Sequence, residues 1–310
     1  MIKIGILGAG AWGKTLGHLL QNNHHQVSFY SRHLEIELQD VIKNCQILVS
    51  AVSMAGVLPL VDQIKLLSLD PNLILVTATK GLDLASGMTA SQLWRKALPN
   101  QAIAVLSGPN LSQEILAGLP CATVVASSSD LAAQKVQNVF ASRNFRVYTN
   151  DDPLGVELGG TLKNVIAIAV GVCDGLKLGA NAKAALTTRA LVEIIRVGVN
   201  FGAQPQTFWG LSGLGDLLAT CNSKLSRNYR VGYGLAEGKT LEQVLSEIEG
   251  TAEGINTAKV LVHWADQHQV AVPICRYVHR LLQAEISPQQ AVEGLMEREL
   301  KAELINRPII

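Results

Sequence analysis

A glycine-rich turn near the amino-terminus does most to limit what this chain can become. The β-branched run Ile2 to Leu7 leads straight into Gly8-Ala9-Gly10-Ala11-Trp12-Gly13, and an apolar helical stretch follows from Lys14 through Leu20. The spacing GxGxxG has physical meaning only between a strand and a helix, and here it has both. Gly8 permits the tight turn, Gly10 lets the backbone approach a pyrophosphate, and Gly13 allows the helix to pack closely. The helix N-terminus that follows offers free N–H groups and positive potential to an anion. Gly8, Gly10, Ala11 and Gly13 are therefore candidate contacts to a dinucleotide; a purely structural turn is the alternative.

Further along, short β-branched runs recur between helix-like segments, as βαβ units require. They are Gln26 to Tyr30, Gln46 to Val52, Leu73 to Thr77, Ile103 to Leu106, Ala122 to Ala126 and Phe145 to Tyr148. Several are apolar at nearly every position, as strands covered on both faces should be. After Asp151-Asp152-Pro153 the runs stop and helical patterns rich in Ala, Leu, Glu and Gly take over. The expected fold is α/β: a Rossmann-type domain with a mostly parallel sheet over residues 1–150, then an all-helical substrate-binding and catalytic domain over 151–310. Ser287-Pro288 suits a helix start, with Leu295, Met296 and Leu300 continuing its apolar face.

Composition narrows the function. A net charge of +1 over 310 residues gives no broad basic face for nucleic acid. The amino-terminus lacks the basic stretch, apolar core and cleavage site of a signal peptide, so a cytoplasmic location is expected. The apolar stretch Val165 to Val172 is far short of the ~20 residues that span a bilayer, so it reads as core and membrane insertion is not expected. Five cysteines stand singly, with no metal-ligand spacing, and read as reduced structural thiols.

The second strand ends at Tyr30, where a strict NAD binder offers an acidic residue to the adenosine ribose. Ser31-Arg32-His33 stands there instead. An arginine pairs with a 2′-phosphate, which favours NADPH with NADH tolerated. A solvated loop cation is the plainer reading of Arg32, and His33 is as readily surface filler as a phosphate contact.

Reduction of a ketone needs a hydride at carbon and a proton at oxygen, and a nicotinamide supplies only the hydride. The best proton donor is Lys163, at the head of a strongly apolar helix near the expected domain junction. Burial would lower its pKa; a nearby carboxylate such as Asp216 would raise it again and hold the ammonium in place. Asp216 follows the glycine-rich run Gly210 to Gly215, and Thr220 lies on the same helical face at i+4. A helix cap is the alternative for Asp216. Ser226-Arg227-Asn228 sets a hydroxyl, a guanidinium and an amide side by side, which suits phosphate oxygens; alone it would be an ordinary polar loop. Lys80 follows the fourth strand and Gly108 the fifth, at the carboxyl edge where open α/β sheets bind ligands. Glu253 is a weaker candidate acceptor for cofactor hydroxyls.

Taken in order, these segments resemble the bacterial NAD(P)-dependent glycerol-3-phosphate dehydrogenase family along nearly the whole chain. GAGAWG, ATKGL, SGPN, VELGGTLKNVIAIAVGVCDGL, GANAKAALTTRAL, GLSGLGDLLATC, SRNYRVG and AEGINT carry the resemblance in order and approximate spacing. It implies reversible reduction of dihydroxyacetone phosphate to sn-glycerol 3-phosphate, with NADPH or NADH as cofactor, in the service of glycerophospholipid synthesis. It implies Lys163 as proton donor with Asp216 in support. Substrate contacts are implied from Lys80, Gly108, Lys163, Asp216, Ser226, Arg227 and Asn228, with Asn164 and Thr220 in addition. Cofactor contacts are implied from Trp12, Arg32, Lys80, Ser112, Arg227 and Glu253.

Two departures from the family pattern stand out: a short segment between Arg32 and the third strand at Gln46, and Asn110 and Ser112 where a hydroxyl residue and an alanine are common. The expected partners are the small substrate and, as an assembly, a homodimer. Two other readings stay open on the sequence. One is another two-domain dehydrogenase of the hydroxyacid type, acting on a 6-phosphogluconate-like or ketopantoate-like substrate. The other is a nucleotide-sensing protein without catalysis.

Overall fold

The computed structural model describes residues 1–300, 302 and 303. The remainder of the expected helical half, 301 and 304–310, lies outside the described residues. Seven strands form one sheet: β1 (Lys3–Leu7), β2 (Gln26–Tyr30), β3 (Ile47–Ser50), β4 (Ile74–Thr77), β5 (Ala102–Ser107), β6 (Cys121–Ser127) and β7 (Phe145–Asn150). Their order is β2-β1-β3-β4-β5-β6-β7, and neighbours run parallel except β5 against β6. The expected mostly parallel sheet is therefore present.

Between the strands lie α1 (Ala11–Asn22), α2 (Leu38–Ile42), α3 (Val57–Ile64), α4 (Ala90–Ala97), α5 (Ser112–Leu116) and α6 (Asp130–Phe140). Because side chains alternate across a strand, β1, β3 and β4 feed two cores. Ile4, Ile6, Val49 and Val76 meet Leu16 and Leu20 of α1 and Val136 and Phe140 of α6. Leu48 and Leu75 meet Val57, Val61 and Ile64 of α3 and Trp94 of α4 on the other face. Burial on both sides is why these strands lack a polar alternation.

Register levels the carboxyl edge. Leu7 pairs with Ser50 and Ser50 with Thr77, so β1, β3 and β4 finish together. Thr77 pairs with Val105, so β5 overruns that edge and carries Ser107 and Gly108 beyond it. The loops that leave this edge after β1, β2, β4 and β5 are the ones the sequence marked.

From Pro153 onward the described elements are helices: α7 (Pro153–Gly175), α8 (Gly179–Asn200), α9 (Asp216–Cys221), α10 (Arg227–Ala236), α11 (Leu241–Ser246), α12 (Glu253–His268), α13 (Pro273–Leu282) and α14 (Pro288–Met296). Asp152 caps α7 by accepting the Gly155 N–H at 2.9 Å, and the Gln204 N–H and Thr207 hydroxyl bind the same carboxylate. α7 is long and apolar enough to cross a membrane, but 94% of its apolar window is buried inside the fold, so it is a core helix. Its inner face joins the sheet through Val156, which packs on Val105, Val124 and Ala126. α10 lies so close to it that a Cβ at Gly171 would stand 2.1 Å from the Tyr229 carbonyl oxygen, and one at Gly232 1.8 Å from that of Ile168. This approach sets the amino-terminal end of α10 beside the polar turn of α7.

The structure corrects one expectation. α14 begins at Ser287-Pro288 with a capping box from Gln290, but it closes at Glu297. Leu295 packs on the helical core, whereas Met296, one residue and ~100° further round, is 79% exposed. Leu300 has no helical face to continue and is fully exposed.

Candidate active site

The turn after β1 is built for an anion. Gly8 has φ +109 and donates its N–H to the Tyr30 carbonyl at 2.8 Å; a Cβ there would stand 2.8 Å from the Ala51 carbonyl oxygen. A Cβ at Gly13 would stand 1.9 Å from the Gly8 carbonyl oxygen, so only glycine lets α1 sit against the turn. Around Gly10 the situation is reversed, because a Cβ would meet nothing within 4 Å. That opening faces a helix start with no side-chain cap and no acidic residue in its first turn. The first helical bond runs from the Lys14 N–H to the Gly10 carbonyl, which leaves the N–H groups of Ala11, Trp12 and Gly13 for a ligand. The Trp12 indole N–H is also buried without a partner. Open space, free donors and an orphaned N–H fit a pyrophosphate group.

Around this cradle stand the other candidate cofactor residues. Arg32 and His33 are exposed just beyond β2, with no acidic side chain among residues 31–33. Ser112 opens α5, which packs against α1. Glu253 opens α12 and reaches across from the helical half: its carboxylate accepts the Met54 N–H at 3.3 Å and lies beside Gly81. Burial pushes its carboxyl up from the usual range, while Arg227 opposes the shift.

At the sheet edge, three charged side chains meet. Lys163 of α7 is 7% exposed, and its Nζ stands 2.6 Å from Asp216 Oδ1. Lys80, leaving β4, places its Nζ 2.7 Å from Asp216 Oδ2 and 3.5 Å from the Gly108 carbonyl oxygen. The Thr220 hydroxyl joins Lys163 and lies 3.2 Å from Asp216 Oδ1. Asp216 starts α9 after a π-helical turn, Leu211–Gly215, and is 1% exposed. Burial lowers the Lys163 pKa to about 8; Asp216 pulls it upward, and Lys80 adds to the lowering. Desolvation thus outweighs the ion pair, which leaves an ammonium able to give up its proton near neutral pH.

The amino-terminal end of α10 meets α7 at Asn164, the residue after Lys163. Ser226 caps the helix by accepting the Tyr229 N–H at 3.2 Å. Asn228 is buried: its Nδ2 donates to Asn164 Oδ1 at 3.0 Å, and its Oδ1 accepts the Gly254 N–H at 2.9 Å. Asn164 Nδ2 lies 3.4 Å from the Gly160 carbonyl. Arg227 is exposed at the first position of the helix, its guanidinium beside Gly250.

The chain matches the models of the NAD-dependent glycerol-3-phosphate dehydrogenase amino-terminus over residues 33–133 and carboxyl-terminus over 152–293. It is 60% identical over 301 residues to glycerol-3-phosphate dehydrogenase, NAD(P)+, of Synechocystis sp., covering 97% of this chain and 95% of that one. The chain belongs to the NAD-dependent glycerol-3-phosphate dehydrogenase family. A crystal structure of glycerol-3-phosphate dehydrogenase from Coxiella burnetii superposes with a TM-score of 0.90 at 33% identity, over 96% of this chain and 99% of that one. The yeast enzyme, at 22% identity and a TM-score of 0.83 over 96% and 99% of the two chains, shows the shared fold.

In this dehydrogenase the structure brings Lys80, Gly108, Lys163, Asp216 and Thr220 into one polar cluster, with Asn164 on the next residue of α7. Ser226 and Asn228 are engaged within the protein, the first as a cap and the second as a clamp between α7 and α12. The sequence reading passed over Ser107 and Gly160. A Cβ at Gly160 would stand 2.3 Å from Ser107 Oγ and 3.2 Å from Lys80 Cε, so this glycine lets α7 lie against the β5 end and the Lys80 stem. Ser107 Oγ is buried without a partner. The visible signal was a glycine pair, Gly159-Gly160, inside a helix that has no turn there.

Proposed function

We propose that this chain reduces dihydroxyacetone phosphate to sn-glycerol 3-phosphate with NAD(P)H, reversibly, in the cytoplasm, and so supplies a backbone for glycerophospholipids. The observation that carries the reading is the buried Lys163 ammonium, shared with Asp216 and lying at the edge where the glycine turn opens. When bound, the nicotinamide supplies the hydride that reaches the carbonyl carbon. The Gly8–Gly13 turn holds the pyrophosphate by its N–H groups, and Trp12, Ser112 and Glu253 line the approach.

The substrate carbonyl oxygen sits against Lys163, whose Nζ–H breaks as the new O–H forms. The product leaves as an alcohol, and the lysine, now neutral, is reprotonated from water. In oxidation the same amine accepts the proton. Asp216 keeps the ammonium in place with one oxygen and Lys80 with the other. Two ammonium groups against one carboxylate leave the cluster positive, which suits a phosphorylated substrate. Arg227, at the amino-terminal end of α10, meets the phosphate with a charge-assisted pair. Exclusion of water from the junction between sheet and helices strengthens each of these interactions.

The deciding experiment is a spectrophotometric assay of NADPH and NADH consumption with dihydroxyacetone phosphate, run beside ketopantoate-like and 6-phosphogluconate-like acids. Turnover with the ketose phosphate is the expected result. Activity confined to a carboxylated substrate would overturn the reading.

A further inference from the structure

Glu157 lies on α7 less than two turns before Lys163 and is 2% exposed, yet the proton transfer makes no use of it. Its carboxylate reaches the start of α4, where it accepts the Ser91 N–H at 2.8 Å and the Ser91 hydroxyl. α4 does not need this help to begin, because Thr89 and Gln92 already form a complete capping box. The contact is instead a tie between the helical half and the sheet half. One turn further along the same face, Thr161 Oγ1 accepts the Gly81 N–H at 3.0 Å.

The two ties hold the two ends of one segment. Gly81 and Ser91 bound a loop that the Leu82 to Thr89 bridge draws together, so fixing its ends leaves it little freedom. Lys80 is the residue just before the first tie. Its stem runs under Gly160, which lies between the two gripping residues on the helix that also bears Lys163. A single rigid element therefore bears the Lys163 ammonium and anchors the backbone from which the Lys80 ammonium extends to Asp216.

We infer that Glu157 and Thr161 are positioning residues, holding the 81–91 segment against α7 at both ends and thereby aiming Lys80 at Asp216 and the substrate. This rests on the role given to Lys80 in the proposed function. A carboxylate buried to this degree is costly unless its hydrogen bonds are kept, so the tie resists loosening in the folded protein.

The test is a set of double-mutant cycles in the full chain. Thr161→Val removes the acceptor at nearly constant volume, Thr161→Ser keeps it, and Glu157→Met keeps the length of the side chain without either acceptor oxygen. Each is made in the native and in the Lys80→Ala background, with kcat and KM for dihydroxyacetone phosphate, cofactor Kd by fluorescence, and Tm. Since misplacement by an ångström costs about 100-fold, Thr161→Val and Glu157→Met are expected to lower kcat/KM by about 10- to 100-fold. Cofactor Kd and the Thr161→Ser variant should stay within about twofold. In the Lys80→Ala background the further loss should fall below about twofold, because the residue being aimed is gone. Equal losses in both backgrounds, or a Thr161→Ser variant as impaired as Thr161→Val, would overturn the inference and leave the role of Lys80 standing. Full activity of Lys80→Ala alone would overturn both.

Discussion

Lys163 Nζ stands 2.6 Å from Asp216 Oδ1, yet its pKa lies below that of a free lysine, at about 8. An ion pair alone would push it the other way. Burial on α7 wins, and Lys80, on the second oxygen of the same carboxylate, draws off part of its field. Asp216 thus secures the ammonium in space without securing its proton.

The first prediction concerns pH. Reduction needs Lys163 protonated and oxidation needs it neutral. kcat/KM for reduction should be level below pH about 8 and fall about tenfold per pH unit above it, while that for oxidation rises with pH below about 8 and is level above it. Initial rates in both directions between pH ~6 and ~10 check this. A reductive profile level to pH ~10 would remove the lysine from proton transfer. Lys163→Ala should lower turnover by about 10²- to 10⁴-fold with cofactor Kd nearly unchanged.

Asp216→Asn carries the same logic one step further. Without the carboxylate, burial and Lys80 act on Lys163 unopposed, so its pKa falls further below about 8. The reductive profile should then shift towards acid, and turnover at pH ~7 should drop by about 100-fold because little ammonium remains. Partial recovery at lower pH is the distinguishing result; a loss independent of pH would mean that Asp216 serves only to hold the site together.

How much of this was legible in the chain depends on the range of each interaction. The inner strands could be read because both faces of the sheet are covered there, which makes runs such as Ile47 to Val49 continuously apolar. The glycine turn could be read because its constraint is local, Gly13 lying against Gly8. Lys163 stood out as a cation in an apolar helix. That Lys80 shares Asp216 was not readable, since the two residues lie 136 positions apart and no periodicity links them. Nor was Glu157, whose partner Ser91 sits in another half of the fold. The face assigned to Leu295, Met296 and Leu300 failed because a helix end depends on the residues that close it, here at Glu297.

The glycine turn gives a paired prediction that separates binding from folding. Gly10 has φ −72 and open space at its Cβ position, so Gly10→Ala should fold with Tm within about 2 °C of the parent. It should nonetheless weaken cofactor binding by about tenfold or more, because the methyl occupies the space a pyrophosphate needs. Gly13→Ala should do both kinds of damage, since its Cβ would stand 1.9 Å from backbone. Melting curves with and without NADPH, beside fluorescence titrations, give the comparison. Equal loss of Tm in the two variants would mean that the turn is structural alone.

The choice between the two nicotinamides is expected to turn on one exposed side chain, Arg32. Arg32 follows β2 where an acidic residue would repel a 2′-phosphate, and residues 31–33 contain none. A guanidinium there gains a charge-assisted pair with NADPH and nothing comparable with NADH. The neighbouring segment is spare, with only the short α2 between Arg32 and β3, so few other groups can compensate. Arg32→Ala should therefore raise KM for NADPH by roughly tenfold and leave that for NADH within about twofold, an effect that weakens as salt screens the pair. Arg32→Glu should go further and reverse the preference. If both cofactors lose equally, Arg32 contributes to the general fit of the adenosine end and the selectivity lies in other residues.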